Sequence, residues 1–170
     1  MLYYSGHIFA VHMQSANIEV YRVNGPLSQA INLQDVVHNY LLQEIDYLMI
    51  PKLDWQDREF DTQMRAEQQL PRKLVAAGTY QLKHNQAPFL MIHDRQQPER
   101  SIVRLFKSRG KISCLQYGPY DNGHILMGLT TGDFFAFDSI NLQKMCNIKI
   151  SDCPVTQICI EWTQLVLIGV

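Results

Sequence analysis

The chain has 170 residues, 46% of them hydrophobic and 18% charged, with a formal net charge of -1 at neutral pH. That balance leaves no electrostatic footprint for nucleic acid, whose phosphates select an excess of Lys and Arg, and no apolar run approaches the ~20 residues a membrane-spanning helix needs. The apolar content suits one folded core, and the N-terminus shows no basic segment ahead of a hydrophobic run, so a soluble, cytoplasmic protein is expected.

Residues 1–24 read as a β-hairpin: His7 to His12 and Ile18 to Val23 are alternating runs, joined by the polar turn Gln14-Ser15-Ala16-Asn17. Residues 25–75 break that rhythm and read as a helical insertion. From Asn32 the apolar positions Leu33, Val36, Val37, Tyr40, Leu41, Ile45 and Leu48 follow the spacing of an amphipathic helix. Asn32 is its expected N-cap, Asp35 complements the helix dipole in the first turn, and Pro51 ends it. A second, more polar helix is expected from Asp54 to Gln69, stopped by Pro71. As a surface elaboration the pair would pack on the rest of the fold. As a docking element it would offer Leu33, Val37, Tyr40, Leu41 and Trp55 to a partner's groove.

From 76 to 170 the pattern is strand throughout. Pro88 to Asp94 is an apolar run ending on an acid, and four short strands follow, roughly Lys111 to Tyr117, His124 to Leu129, Phe134 to Asp138 and Lys144 to Ile150. Turn chemistry separates them: Gly118 to Gly123, Thr130-Thr131-Gly132-Asp133 and Ser139-Ile140-Asn141. Ile112-Ser113-Cys114-Leu115-Gln116-Tyr117 recurs as Val155-Thr156-Gln157-Ile158-Cys159-Ile160, apolar at the first, fourth and sixth places, and Asp94 and Asp138 precede the two copies by similar intervals. A beat of roughly 43 residues carrying four strands is a propeller-blade period.

On these residues the chain resembles the WD-repeat β-propeller family, with Asp94 and Asp138 where that family places the acid closing its third strand. The resemblance covers about residues 88–170, and more weakly the hairpin 7–23. Phe137-Asp138 and His93-Asp94 stand where the family's name-giving dipeptide would be, and no Gly-His pair precedes the first strands. The implied fold is mainly β, a partial WD-repeat-like propeller with an α-helical insertion: 1–24 a partial blade, 25–75 the insertion, 76–170 blades of which the last is incomplete. A closed ring of six or seven blades needs roughly 240 to 300 residues. The sheet is therefore expected to be completed by another polypeptide or by further chain.

Little in the sequence points to catalysis. Cys114, Cys146, Cys153 and Cys159 lack the close pairing of a zinc site, and the histidines have no carboxylate or cysteine at ligand spacing, so no metal, cofactor or catalytic residue is assigned. Asp121, Asp133, Asp138 and Asp152 could meet at one rim as an acid/base or calcium site, but acids in such turns ordinarily cap backbone amides. The resemblance implies a non-enzymatic scaffold that binds other protein subunits, in a cytoskeletal, ciliary, trafficking or regulatory assembly. The alternative is an enzyme with a polar site on the propeller rim, completed from outside the chain.

Overall fold

Short alternating runs bounded by turn residues fold as antiparallel strands. The computed structural model, which describes residues 1–4, 7–12, 15–23, 25–51, 70–108, 110–118, 123–161 and 164–169, arranges them as four sheets in chain order. The first sheet is β1 (Leu2–Tyr4), β2 (His7–Val11), β3 (Asn17–Arg22) and β4 (Leu27–Asn32). The second is β5 (Leu42–Met49), β6 (Lys73–Leu82), β7 (Asn85–Asp94) and β8 (Ile102–Leu105). The third is β9 (Ile112–Tyr117), β10 (His124–Leu129), β11 (Asp133–Asp138) and β12 (Lys144–Lys149), and the fourth is the pair β13 (Val155–Glu161) and β14 (Gln164–Gly169). Within each sheet every strand pairs with its neighbour in sequence.

The sheets stack face to face, and alternation supplies the contacts. Phe9, Ile18, Val20 and Ile31 of the first sheet meet Leu42, Leu74, Tyr80, Phe89 and Met91 of the second. The other face of the second sheet sets Val75, Leu90 and Ile92 against Ile112, Ile125, Met127, Phe135 and Phe137. Leu126 and Phe134 then cover Val155 and Ile158 of the fourth. Being apolar on both sides, β6 and β7 are buried almost continuously from Leu74 to Tyr80 and from Ala87 to Asp94. Polar bonds tie the same interfaces: Tyr47 Oη donates to the Ser113 carbonyl at 2.7 Å, and Ser113 Oγ to the Val155 carbonyl at 2.7 Å.

In the third sheet the register sets Ile125 opposite Phe137 and Met127 opposite Phe135, so Phe135 and Phe137 share one face while Phe134 and Ala136 take the other, as alternation predicts. Gly128 lies where the third sheet packs closely on Val155 of the fourth. A Cβ there would sit 2.6 Å from Cys114 Sγ and 2.7 Å from Val155 Cβ.

The expected helix from Leu33 to Leu48 is not formed, and no α-helix occurs among the described residues. Asn32 does cap: its Oδ1 accepts from the Gln34 amide at 3.0 Å and its Nδ2 donates to Asp35 at 3.1 Å, but the turn it opens is a 3-10 turn of four residues, Leu33–Val36. Gln34 then holds the chain out of helix, with Nε2 donating to the carbonyls of Val37 and Tyr40 and Oε1 accepting from the Leu42 amide. Beyond it lies β5. The helical spacing has a strand cause, because the pairing with β6 shifts between Leu42 and Glu44 and again between Ile45 and Tyr47. Each β-bulge adds a residue, so Leu42, Ile45 and Leu48 all face the first core at intervals of three. The second expected helix, Asp54 to Gln69, lies outside the described residues.

The same device explains the repeat. Register shifts leave Ser113 extra in β9 and Thr156 extra in β13, as Gln43 is in β5. Leu42-Gln43-Glu44-Ile45-Asp46-Tyr47 is thus a third copy of the pattern apolar at places one, four and six, at the start of the first strand of its sheet.

Candidate interaction surfaces

Both anchor acids close the third strand of their sheet by holding the turn that follows. Asp138 Oδ1 accepts from the amides of Ile140 and Asn141 at 2.8 and 3.0 Å. Asp94, buried, accepts from the amides of Gln96 and Gln97 at 3.0 and 3.1 Å and from Arg72 Nε and Nη2 at 3.0 and 2.9 Å. Ser101 Oγ bridges the Asp94 amide and His93 Nδ1 at 3.0 and 3.1 Å. Arg95 donates to the Pro71 carbonyl at 2.8 Å and to Gln29 Oε1, joining the second sheet to the first.

These contacts set how stability depends on acid. Burial, with Arg95 adding repulsion and Asp94 opposing it, holds the His93 imidazolium below its ordinary value of 6.5. At Asp94 burial pushes the carboxyl up, but the bonds from Arg72 and the Gln97 and Gln96 amides outweigh it and leave the group below 3.8. For both groups the unfolded chain takes up its proton at higher pH than the folded one, so stability is lost as pH falls. The His93 part should appear as pH drops below about 6.5, and the Asp94 part only below about 4. In urea unfolding at pH 7.5 and 5.5, the midpoint of the native chain should fall more than that of His93→Gln. Equal falls would show that His93 does not carry the effect.

Of the rim acids, Asp133 and Asp138 do not meet. Asp133 and Asp138 stand at the two ends of β11, which at ~3.3 Å per residue separates them by roughly 16 Å. Asp133 accepts from Thr131 Oγ1 at 2.6 Å, Asp152 is exposed beside Lys149, and Asp121 lies outside the described residues. Among the described residues no three His, Cys, Asp or Glu side chains gather as metal ligands. Cys114 is half-buried beside the third core, its thiol pushed up by burial, and donates to the Val155 carbonyl.

The residues expected to dock a partner are divided. Leu33 and Val37 belong to the first core, whereas Tyr40 and Leu41 are exposed on the loop before β5, with the Tyr40 ring edge-on to Tyr80 at 5.4 Å. Trp55 lies outside the described residues. The larger apolar surface is on β12, the last strand of the third sheet. Ile148 pairs with Phe134 and Cys146 with Ala136, so both point to the face that packs on the fourth sheet, and Ile150 follows in phase. Ile148 remains 50% exposed, and Met145, the bulged residue of the same strand, 58%. The sequence held a signal for this surface that alternation could not read, since which strand lies outermost depends on sheet order.

No protein-family model matches the sequence, and no curated protein matches it. Among solved structures, the β-propeller domain of Cps50 (Swd1) from Myceliophteria thermophila superposes with a TM-score of 0.54 at 12% identity, over 96% of this chain and 45% of that one. Sqt1 from Saccharomyces cerevisiae matches with a TM-score of 0.42 at 10% identity, over 92% of this chain and 51% of that one. The first likeness establishes the fold as that of a β-propeller, each four-stranded sheet being a blade, and the chain spans about half the length of the solved structures it matches.

Proposed function

We propose that the chain is a non-enzymatic protein-interaction scaffold, a subunit or module of a larger assembly, whose open blade face takes two further strands from another polypeptide or from further chain. One observation carries this reading. The interface between the third and fourth sheets runs from Ala136, packed against its core, onto half-buried Cys146 and exposed Ile148, where the outer half of a fourth blade would lie. The other three sheets have four strands each, the fourth has two, and β14 pairs with no other strand among the described residues. Such an edge, beside exposed apolar side chains, templates strand addition.

Light scattering over a concentration series tests it. The purified chain should exceed the mass of one copy, and Met145→Lys with Ile148→Lys should return it toward one copy with the far-ultraviolet β signal kept. A single-copy mass at every concentration, with β14 amides protected from exchange, would overturn the reading. A cytoplasmic setting, on the cytoskeleton, at a cilium or in trafficking, belongs to the same proposal, and imaging of a fluorescent fusion decides it.

A further inference from the structure

The tight turn between β6 and β7 and the segment after β8 enclose a hollow of about 350 Å³, lined by Leu82, Lys83, Asn85, Gln86, Lys107 and Ser108. Three properties make it more than a crevice. Its lining holds two cations and no acid, and neither Lys83 nor Lys107 has a carboxylate partner among the described residues, whereas Lys111 and Lys149 are paired with Glu44 and Asp152. Lys83 has φ +54°, the left-handed conformation that glycine or asparagine adopts at lower cost, and a side chain kept at such a position is a pointer to function. The turn is also held in place: Gln81 Nε2 donates to the Lys83 carbonyl at 2.8 Å, and Leu82 pairs with Asn85.

We infer that this hollow binds an acidic peptide segment, with Lys83 and Lys107 meeting its carboxylates, Asn85, Gln86 and Ser108 its backbone, and Leu82 an aliphatic stem. The occupant follows from the shape and the lining. Lys83, Asn85, Gln86 and Lys107 are all exposed, so the site cannot enclose most of a small metabolite as a metabolite pocket does. It can receive one stretch of an extended chain that crosses the surface. The site is separate from the β12 face and does not depend on strand addition there.

Fluorescence anisotropy tests the assignment with a labelled decapeptide of alternating glutamate and alanine, its glutamine counterpart, and inorganic phosphate as competitor. The acidic peptide should bind at least five-fold more tightly than the neutral one, and more weakly as salt rises toward 0.2 M, as exposed charge contacts require. Lys83→Gln and Lys107→Gln should each weaken it several-fold, while Lys144→Gln, a lysine on β12, leaves it unchanged. Lys83→Gly separates recognition from folding: relief of the left-handed backbone should keep or raise the thermal midpoint while binding falls as in Lys83→Gln. Equal affinity for both peptides, indifference to both hollow variants, or binding of phosphate without the acidic peptide would each overturn the inference.

Discussion

Replacing Gly78 by alanine should unfold the chain or bring it to the edge of unfolding. A Cβ at this position would lie 1.9 Å from the Glu44 carbonyl oxygen and 2.9 Å from the Ile45 Cα, both backbone atoms of the bulged strand β5. No rotamer change relieves that contact, so β5 must leave its register. With it would go Leu42 and Ile45 from the first core and the packing of Tyr47 and Met49 on the second. Overpacking ordinarily costs about 1–3 kcal/mol. Here the displaced element serves two interfaces, and a loss of about 4 kcal/mol is expected, a large share of the ~5–15 kcal/mol that stabilises a domain. Urea unfolding reads it directly, and a midpoint equal to that of the native chain would mean that β5 does not approach β6 as described.

Phe137→Ala should cost about 3–5 kcal/mol, the range for truncating a buried aromatic residue. Phe137 is fully buried, stacked on Phe135 at 5.9 Å between centroids and edge-on to Phe106 at 5.7 Å, with the Arg104 guanidinium 5.7 Å from its ring centre. Arg104 belongs to the second sheet, Phe106 follows its last strand and Phe135 belongs to the third, so the cavity would open between blades. Phe137→Leu, which keeps most of the volume, should cost under about 1.5 kcal/mol. Similar losses for both variants would show that ring geometry rather than filled volume holds the interface.

Much of the third sheet was legible in the sequence, because its short apolar strands are separated by turns that Gly, Asn and Asp mark. The hairpin of β2 and β3 was legible for the same reason. Asp94 and Asp138 were legible as anchors since an acid followed by free turn amides has a direct physical role. What defeated reading was the bulge. Two extra residues in β5 turned a period of two into a period of three, and helix became the better fit for Leu42, Ile45 and Leu48. The key lay in the repeat itself, whose places one, four and six already encode a bulge, and Leu42 to Tyr47 fits that template. The interaction surfaces were less legible. Leu33 and Val37 carry the same chemistry as Ile148, and only the stacking order of sheets decides that the first two are core and the third is half uncovered. For the basic hollow, Lys83 and Lys107 are distant in sequence and meet through the β6 to β7 turn.

Because the cores among the described residues join each blade to the one before and the one after, the molecule should behave as a row of coupled units rather than a single all-or-none block. In such a row stability is local and additive, with each unit strengthened by its flanking partners. The second sheet, gripped on both faces, should be the last to open, and amides of β6 and β7 should exchange with solvent most slowly. The β13 and β14 pair, joined to one neighbour across Val155 and Ile158, should be the first. Whatever seats itself beside β14 would therefore do more than dock. It would add a flanking unit, and the gain in protection should spread backward through β10 and β11, fading with each blade crossed.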